Sequence, residues 1–236
     1  VGSEMCIRDS SNNGVNGNQL ANYMDANVKT ARKFSKKCRI LMAESNNSKI
    51  LQSSFYEIDI LEIGGHHKGK RGKDSENKQL TLLILSTLED NNYPQYVKLH
   101  TLPNYKGEPI EEYLKEKCLF DPTIVINCDR DKAFFCLNKL AQLENSVVDY
   151  TKESHKLKWL NTFTGNIQSN INHLYRLVKK RDLPLFLSEQ EWRINHRYSG
   201  KRIMDKVKKY ISMSTPVTFK QITNSVLAYE KQFLSA

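Results

Sequence analysis

The chain has 236 residues, of which 39% are hydrophobic and 26% are charged, and this composition supplies a core and excludes wholesale disorder. Its net charge of +10 and pI near 9.3 favour a polyanionic partner, with nucleic acid first and an anionic membrane surface second. No apolar run approaches the roughly 18 residues that span a bilayer, and five cysteines without a Cys-x-x-Cys pair predict free thiols in a reducing compartment and argue against a zinc ribbon.

The N-terminal region is predicted to carry a short helix-turn-helix over residues 18–45. Before it, residues 1–17 are interpreted as adaptor-derived or disordered, because VGSEMCIRDS resembles translated adaptor and SNNGVNG is polar and glycine-rich. Apolar spacings of three and four predict helices at about 18–24 and 28–44. The second helix has no acid before Glu44 and carries the cations Lys29, Arg32, Lys33, Lys36, Lys37 and Arg39. This helix either reads DNA or is a solvated basic helix packed on the domain that follows it in the chain.

A catalytic domain is predicted over residues 53–212, after a linker at 45–52 and before a C-terminal tail at 213–236. Its strands are predicted at 53–63, 79–88, 96–102, 123–128 and 146–150. Its helices are predicted at 108–118, 132–143, 167–181, 188–197 and 202–209. Three successive strands followed by alternating helix and strand is the element order of the RNase H-like fold. The predicted fold class is therefore α/β, with a mixed five-stranded sheet flanked by helices.

Two aspartates stand where this fold would place a metal site. Asp59 lies inside the apolar strand FYEIDILEI, where a carboxylate is costly unless it is paired or bound to a cation. Asp129 directly follows the apolar strand TIVINC, and ligands collect beyond the carboxyl ends of strands in open α/β sheets. The first and fourth strands of the fold are neighbours, so the two carboxylates are predicted to converge on divalent cations. The alternative is that Asp129 caps a loop and Asp59 forms a structural pair.

Two segments around these aspartates carry a family resemblance. EIDILEIGGHHKGKRGK resembles the first catalytic motif of the ISXO-like insertion-sequence transposases and of their eukaryotic relatives, the Merlin superfamily. The residues that match this motif are Glu57, Asp59, Gly64, Gly65, Lys70, Arg71 and Gly72. Ile60 stands where the family usually has Glu. TIVINCDRDKAFFCL resembles the second motif through Asp129 and Phe134.

Two later segments extend the resemblance to about residues 18–220. NIQSNINHLYR resembles the third motif, in which an acid lies near the start of a helix, but Gln168 stands where that Glu is expected. LSEQEWRINHR resembles the family signature E-F-x-x-R-x-N-x-R, with Gln190 in the aromatic position. The matching residues of that signature are Glu189, Arg193, Asn195 and Arg197.

The resemblance implies a cut-and-paste DDE transposase that cleaves and joins DNA at terminal inverted repeats by two-metal phosphoryl transfer. Its catalytic positions would be Asp59, Asp129 and Gln168, with Asp59 and Asp129 as ligands of Mg²⁺ or Mn²⁺. Gln168 brings no charge, so two hypotheses stay open: a working enzyme with a neutral third ligand, and a decayed or domesticated transposase that binds DNA without cutting it. Other candidate third ligands are Asn166, Glu153 and Glu189. A nuclease of RNA–DNA hybrids is a further alternative.

The expected partners are double-stranded DNA, as terminal repeats and target, and a second copy of the chain when two ends are synapsed. The expected DNA-binding residues are Lys29, Arg32, Lys33, Lys36, Lys70, Arg71, Arg176, Lys179, Arg193, Asn195 and Arg197. Residues 68–73 are either a solvated turn or a phosphate contact, and His66 and His67 are expected in an exposed loop. No membrane partner is expected. The expected location is intracellular and DNA-associated, in the nucleus if the host is eukaryotic.

Overall fold

The computed structural model describes residues 14–64, 78–87, 93–120, 123–129, 131–145, 157–174, 178–197 and 212. Its contacts divide the chain into two compact units. The first, Ser48–Gln168, contains all the described strands and is called the sheet unit. The second combines residues up to Asn47 with residues from Ser169 onward and is called the helical unit. The predicted adaptor segment falls mostly on residues 1–13, outside the described residues.

The sheet unit contains strands and helices in the order that the sequence predicts for an RNase H-like domain. In chain order its elements are β1 (Phe55–Gly64), β2 (Lys78–Thr87), β3 (Pro94–Leu102), α3 (Gly107–Lys117), β4 (Val125–Cys128), a 3-10 helix (Lys132–Lys139), β5 (Gln142–Asn145) and α4 (Lys158–Ser169). The sheet order is β3-β2-β1-β4-β5. The first three strands pair antiparallel, whereas β4 and β5 are parallel to β1. This mixed five-stranded sheet confirms the predicted fold class.

Strand β1 separates two faces of the sheet because its side chains alternate. Tyr56 and Ile58 are fully buried in a core with β2, β4, α3 and the 3-10 helix. Glu57, Asp59 and Leu61 lie on the opposite face, since successive residues of a strand point in opposite directions. The chemistry-bearing residues of β1 are therefore kept off the main core face.

The structure corrects the predicted elements after β4. The helix predicted at 132–143 is a 3-10 helix that ends at Lys139, and β5 begins at Gln142. Parallel pairing with β4 recruits Leu143 opposite Ile126, so tertiary pairing overrides the helical spacing of the apolar residues. The strand predicted at 146–150 lies outside the described residues.

Helix α4 was wrongly predicted to begin near Ile167. It begins at Lys158 and buries Leu160, Phe163 and Ile167, which recur at helical spacing. Its α-helical part ends at Ser169 and is followed by a π-helical turn over Asn170–Leu174. The predicted third catalytic position thus lies near the end of this helix and not near its start.

The helical unit contains α1 (Gly17–Tyr23), α2 (Val28–Asn47), a short 3-10 helix (Lys180–Asp182) and α5 (Leu183–Asn195). Asn16 caps α1, accepting hydrogen bonds from the N–H groups of Asn18 and Gln19 at 3.1 and 2.9 Å. Helix α2 runs to Asn47, beyond the predicted start of the linker at 45, because the Asn46 side chain donates to the carbonyl of Ser188 at 2.9 Å. Helix α5 begins five residues earlier than predicted, with a proline in its first turn. The helix predicted at 202–209 lies outside the described residues.

No helix in the described part of the chain is both long enough and apolar enough to cross a bilayer.

Candidate active site

The pairing of β1 with β4 determines where the two predicted metal-binding aspartates lie. The strands pair in parallel as far as Ile58 opposite Cys128. Asp59 directly follows Ile58, and Asp129 directly follows Cys128, so the two aspartates continue the same register beyond the last pair. Asp59 remains in the sheet through its antiparallel pairing with Leu83. The two carboxylates are therefore brought to the carboxyl end of β4, as the sequence predicts.

Asp59 lies in an unfavourable environment for a negative charge. Burial raises the pKa of its carboxyl, and the neighbouring carboxylates of Asp129 and Asp131 raise it further. The one opposing contact is a hydrogen bond of 2.7 Å that Oδ1 accepts from the N–H of Ile60. Among the described residues, no cation forms an ion pair with Asp59. Negative charge is thus concentrated at this edge of the sheet.

Asp129 is exposed and is oriented by the turn after β4. Its Oδ1 accepts a hydrogen bond of 3.0 Å from the N–H of Asp131. Asp131 in turn accepts from the N–H of Ala133 at 3.0 Å and caps the 3-10 helix. Sequence reasoning missed Asp131, although an Asp directly before a helical segment is a common capping signal. The third acid near the pair therefore has a structural role in the turn as well.

The nearest thiol is unsuited to metal binding. Burial raises the pKa of Cys128 to about 12, and the charges of Asp129 and Asp59 contribute to the shift. The metal ligand is the thiolate form of cysteine. Cys128 therefore remains protonated and serves as part of the core.

A polar network lies at the end of β1 beyond Asp59. The Tyr105 hydroxyl donates to Oε1 of Glu62 at 2.9 Å, and the Lys78 ammonium contacts Oε2 of the same carboxylate at 2.6 Å. Burial, the hydrogen bond to Glu62, and the charges of Asp131 and Asp59 all raise the pKa of Tyr105. Tyr105 therefore stays a neutral donor near the acidic edge. Sequence reasoning missed this network, because its members come from three separate elements.

Glu57 anchors the helix that carries the third predicted position. It is fully buried, and its Oε2 accepts a hydrogen bond of 3.0 Å from the N–H of Leu160 in the first turn of α4. The first N–H groups of a helix lack intrahelical partners, and a carboxylate there is favoured by the helix dipole. The motif residue Glu57 is thus explained by the attachment of α4 to β1.

Gln168 lies one residue before the end of α4 and is half-buried. In the described part of the chain, no group of three or more His, Cys, Asp or Glu side chains could hold a metal ion. Of the alternative third ligands, Asn166 is exposed on α4, and Glu153 lies outside the described residues.

The remaining alternative, Glu189, is engaged in ion pairs within the helical unit. Its Oε2 contacts Nε of Arg39 at 2.6 Å, and its Oε1 contacts Arg193 at 2.9 and 3.0 Å. Arg197 donates from Nη1 to the carbonyl of Ile194 at 2.9 Å. Asn195 is half-buried in the last turn of α5. Most of the family signature on α5 therefore makes contacts within the fold.

The other predicted DNA-binding residues differ in exposure. Lys29, Arg32, Lys33 and Lys179 are exposed. Lys36 is half-buried and lies 3.6 Å from the carboxylate of Asp182. The predicted residues that lie outside the described part of the chain are His66, His67, Lys70, Arg71 and Arg176.

The ISXO2-like transposase domain matches residues 55–195. The chain belongs to this transposase family. The match begins with β1 and ends with the last residue of α5, so it includes the aspartate pair and the signature as far as Asn195. The resemblance inferred from the four motifs is confirmed.

Two solved structures similar to this chain are those of the Mos1 transposase. The paired-end complex with the left transposon end has 9% sequence identity and a TM-score of 0.34, with 88% of this chain and 78% of that chain covered. The Mos1 strand transfer complex has 9% identity and a TM-score of 0.31, with 92% and 78% covered. No curated protein matches this chain significantly.

Proposed function

We propose that this chain cleaves DNA strands at terminal inverted repeats and joins them to target DNA, as a DDE-type transposase that depends on Mg²⁺ or Mn²⁺. The observation that carries the proposal is the parallel register of β1 and β4, which brings Asp59, in the middle of β1, beside Asp129 at the carboxyl end of β4. Family membership adds the reaction class. DNA ends and target are the proposed substrates, and a homo-oligomer would hold two ends together. If the host is eukaryotic, the proposed site of action is the nucleus.

The residues at this edge suit a hard divalent cation. Asp59 and Asp129 supply oxygen ligands, and the charges of Asp129 and Asp131 disfavour ionised Asp59 in the absence of a cation. When bound, divalent cations supply an activated water and stabilise the leaving oxygen in phosphoryl transfer. Gln168 adds no charge, and the number of carboxylates tunes affinity. We therefore propose a weak metal site.

The chain's own residues would orient the reactants. The N–H of Ile60 fixes one oxygen of Asp59, and the N–H of Asp131 fixes one oxygen of Asp129. Gln168, at the end of a helix anchored through Glu57, would contribute a neutral carbonyl oxygen. Exposed cations of the helical unit would hold DNA phosphates.

The test is metal-dependent nicking of supercoiled plasmid that carries candidate terminal repeats, with Mg²⁺ and with Mn²⁺. The variants are Gln168→Glu and Asp129→Ala, with Glu112→Gln, an exposed acid on α3, as the control. We expect weak nicking by the natural chain, an increase of roughly tenfold or more for Gln168→Glu, and loss for Asp129→Ala. Nicking that survives Asp129→Ala would refute the assigned site.

The second candidate function is DNA binding without cleavage by a decayed or domesticated transposase. The observation that favours it is the amide of Gln168 at the third position, which leaves Asp59 and Asp129 as the two carboxylates of the proposed catalytic positions. Nicking that appears only in Gln168→Glu would support this function and show that the geometry survives. If every variant binds DNA but none nicks the plasmid, that result would support it as well. Cleavage of an RNA–DNA hybrid instead of plasmid would favour a cellular nuclease.

A further inference from the structure

A second charged region lies wholly within the helical unit. It is a cavity of about 710 Å³ between the start of α1, one face of α2 and residues 178–186. Its charged lining residues are Arg32, Lys36, Arg39, Lys179, Arg181 and Asp182. We call this cavity the basic cleft.

The basic cleft keeps a positive excess after its ion pairs are counted. Its five lining cations face one lining carboxylate, Asp182, which leaves four positive charges. Asp182 is shared, at 3.6 Å from Lys36 and 3.5 Å from Arg181. Arg39 is paired with Glu189, which lowers the excess to three. Arg32 and Lys179 are exposed at the rim. The cleft therefore suits a ligand with several negative charges.

Helix α2 carries cations inside and outside the cleft. Arg32, Lys36 and Arg39 recur at intervals of four and three, so they share one face. Lys37 does not share this spacing, is exposed and does not line the cleft. It therefore supplies a matched cation on the same helix.

Arg32 is held at the rim by a glycine. A Cβ built at Gly17 would lie 2.8 Å from Cγ and 3.1 Å from Nε of Arg32. Only a residue without a side chain lets Arg32 pass so close to the start of α1. Its position in the cleft thus depends on Gly17, independently of its charge.

We infer that the basic cleft binds the phosphodiester backbone of duplex DNA, with Arg32 and Lys179 as phosphate ligands. Guanidinium and ammonium groups are the usual phosphate donors of DNA-binding proteins. Such contacts fix a duplex in place without reading its sequence. The cleft, and not the exposed cations elsewhere on α2, is then the main DNA contact of the described helical unit. The inference rests on the proposed function for its choice of DNA, but it concerns binding and needs no cleavage.

The test is fluorescence anisotropy of a labelled mixed-sequence duplex, titrated with the full chain over a salt series. Arg32→Ala and Lys179→Ala should each weaken binding on the order of tenfold and reduce the salt slope by about 1. Lys37→Ala, which removes the same charge outside the cleft, should stay within about twofold. Circular dichroism verifies that each variant is folded.

Gly17→Ala separates position from charge. It leaves the net charge unchanged but requires the Arg32 side chain to shift, so it should weaken binding less than Arg32→Ala does. The control is Gly165→Ala on α4, where an added Cβ meets nothing within 4 Å. Binding by Arg32→Ala equal to that of Gly165→Ala would overturn the assignment of Arg32.

Other outcomes separate this inference from the proposed function. Loss of affinity in Lys37→Ala as large as in Arg32→Ala would overturn the cleft as the main DNA contact of α2. Retention of vesicles that contain phosphatidylserine, without duplex binding, would overturn DNA as the ligand. A chain that binds through the cleft but nicks no plasmid would refute the proposed cleavage and support the cleft.

Discussion

The two compact units treat charge in opposite ways. In the sheet unit, the half-buried Asp59 has two carboxylates nearby, and one hydrogen bond from the next N–H supports its charge. In the helical unit, the buried carboxylate of Glu189 is matched by the guanidinium groups of Arg39 and Arg193. Asp59, Asp129, Glu189 and Arg193 all belong to the motifs that resemble the transposase family.

The difference shows which charges serve the fold and which await a ligand. In a buried ion pair, each charge is balanced by its partner, and losing one partner leaves the other charge uncompensated. Like charges that are held together cost free energy, which a bound cation recovers. From this comparison we propose that the family signature on α5 serves the structure and that the aspartate pair serves the chemistry. The following experiments test that division, from the largest expected effect to the smallest.

Removing Glu189 should cause the largest loss of stability. Glu189→Ala leaves the buried Arg39 and its neighbour Arg193 without their carboxylate, so we expect a loss of about 3–5 kcal/mol in the free energy of unfolding. Urea denaturation followed by circular dichroism measures it. Glu111→Ala removes a carboxylate that pairs with the exposed Lys115 at the same i, i+4 spacing and should leave the midpoint nearly unchanged. A small effect of Glu189→Ala would contradict the structural role of the signature.

Lowering the pH should destabilise the sheet unit through His100. Burial lowers the pKa of His100 to about 4, and the ring stacks on Tyr113 at 3.9 Å. The unfolded chain, with a pKa near 6.5, then binds the proton more tightly than the folded chain. The contribution of His100 is present above pH 6.5 and is lost as the pH falls towards 4, at a cost of roughly 2–3 kcal/mol by pH 4.5.

Urea midpoints of the natural chain and of His100→Phe, measured from pH 7.5 to 4.5, test this dependence. The phenylalanine ring can keep the stack on Tyr113 but does not titrate. The natural chain should lose more stability over the range than the variant. Parallel curves would show that His100 is free to ionise in the fold.

Neutralising Asp59 should have a smaller effect of opposite sign. Asp59→Asn keeps an oxygen for the N–H of Ile60 but removes a buried charge beside two carboxylates, so we expect a gain of about 1 kcal/mol in chelator at neutral pH. The same variant should not nick DNA. Denaturation with and without Mn²⁺ measures the effect, since only the natural chain should gain stability from the metal. A loss of stability in chelator would mean that the Asp59 charge is structurally paired.

Much of the sheet could be predicted from the sequence because its signals are local. The alternation around Asp59 and the apolar runs before Asp129 and after Gln79 identified three strands with nearly correct bounds, and the predicted strand at 96–102 matches most of β3. The regions where prediction failed depend on distant partners. Helix α4 begins among poor helix formers and is supported by the carboxylate of Glu57, about a hundred positions earlier. Strand β5 exists because β4 offers it a parallel edge.

The candidate site divides in the same way. Asp59 and Asp129 were identifiable because a carboxylate inside or directly after an apolar strand is costly. Asp131 and Tyr105 were not, because the effect of Asp131 on Asp59 and the effect of both carboxylates on Tyr105 arise only when the turn after β4 and the loop before α3 approach β1. The basic stripe of α2 was visible as a run of cations, but periodicity does not show which face closes against residues 178–186.

The sequence by itself determined the element order of the sheet, the two aspartates, the neutral third position and the family, since each of these is written in local pattern and residue type. Only the tertiary structure decided that Glu57 and Glu189 bind groups within the fold and that Gln168 lies at the end of its helix. It also decided which cations of α2 line a cleft. The physical reason is that burial and pairing of charge depend on groups far apart in the chain, whose approach no local pattern encodes.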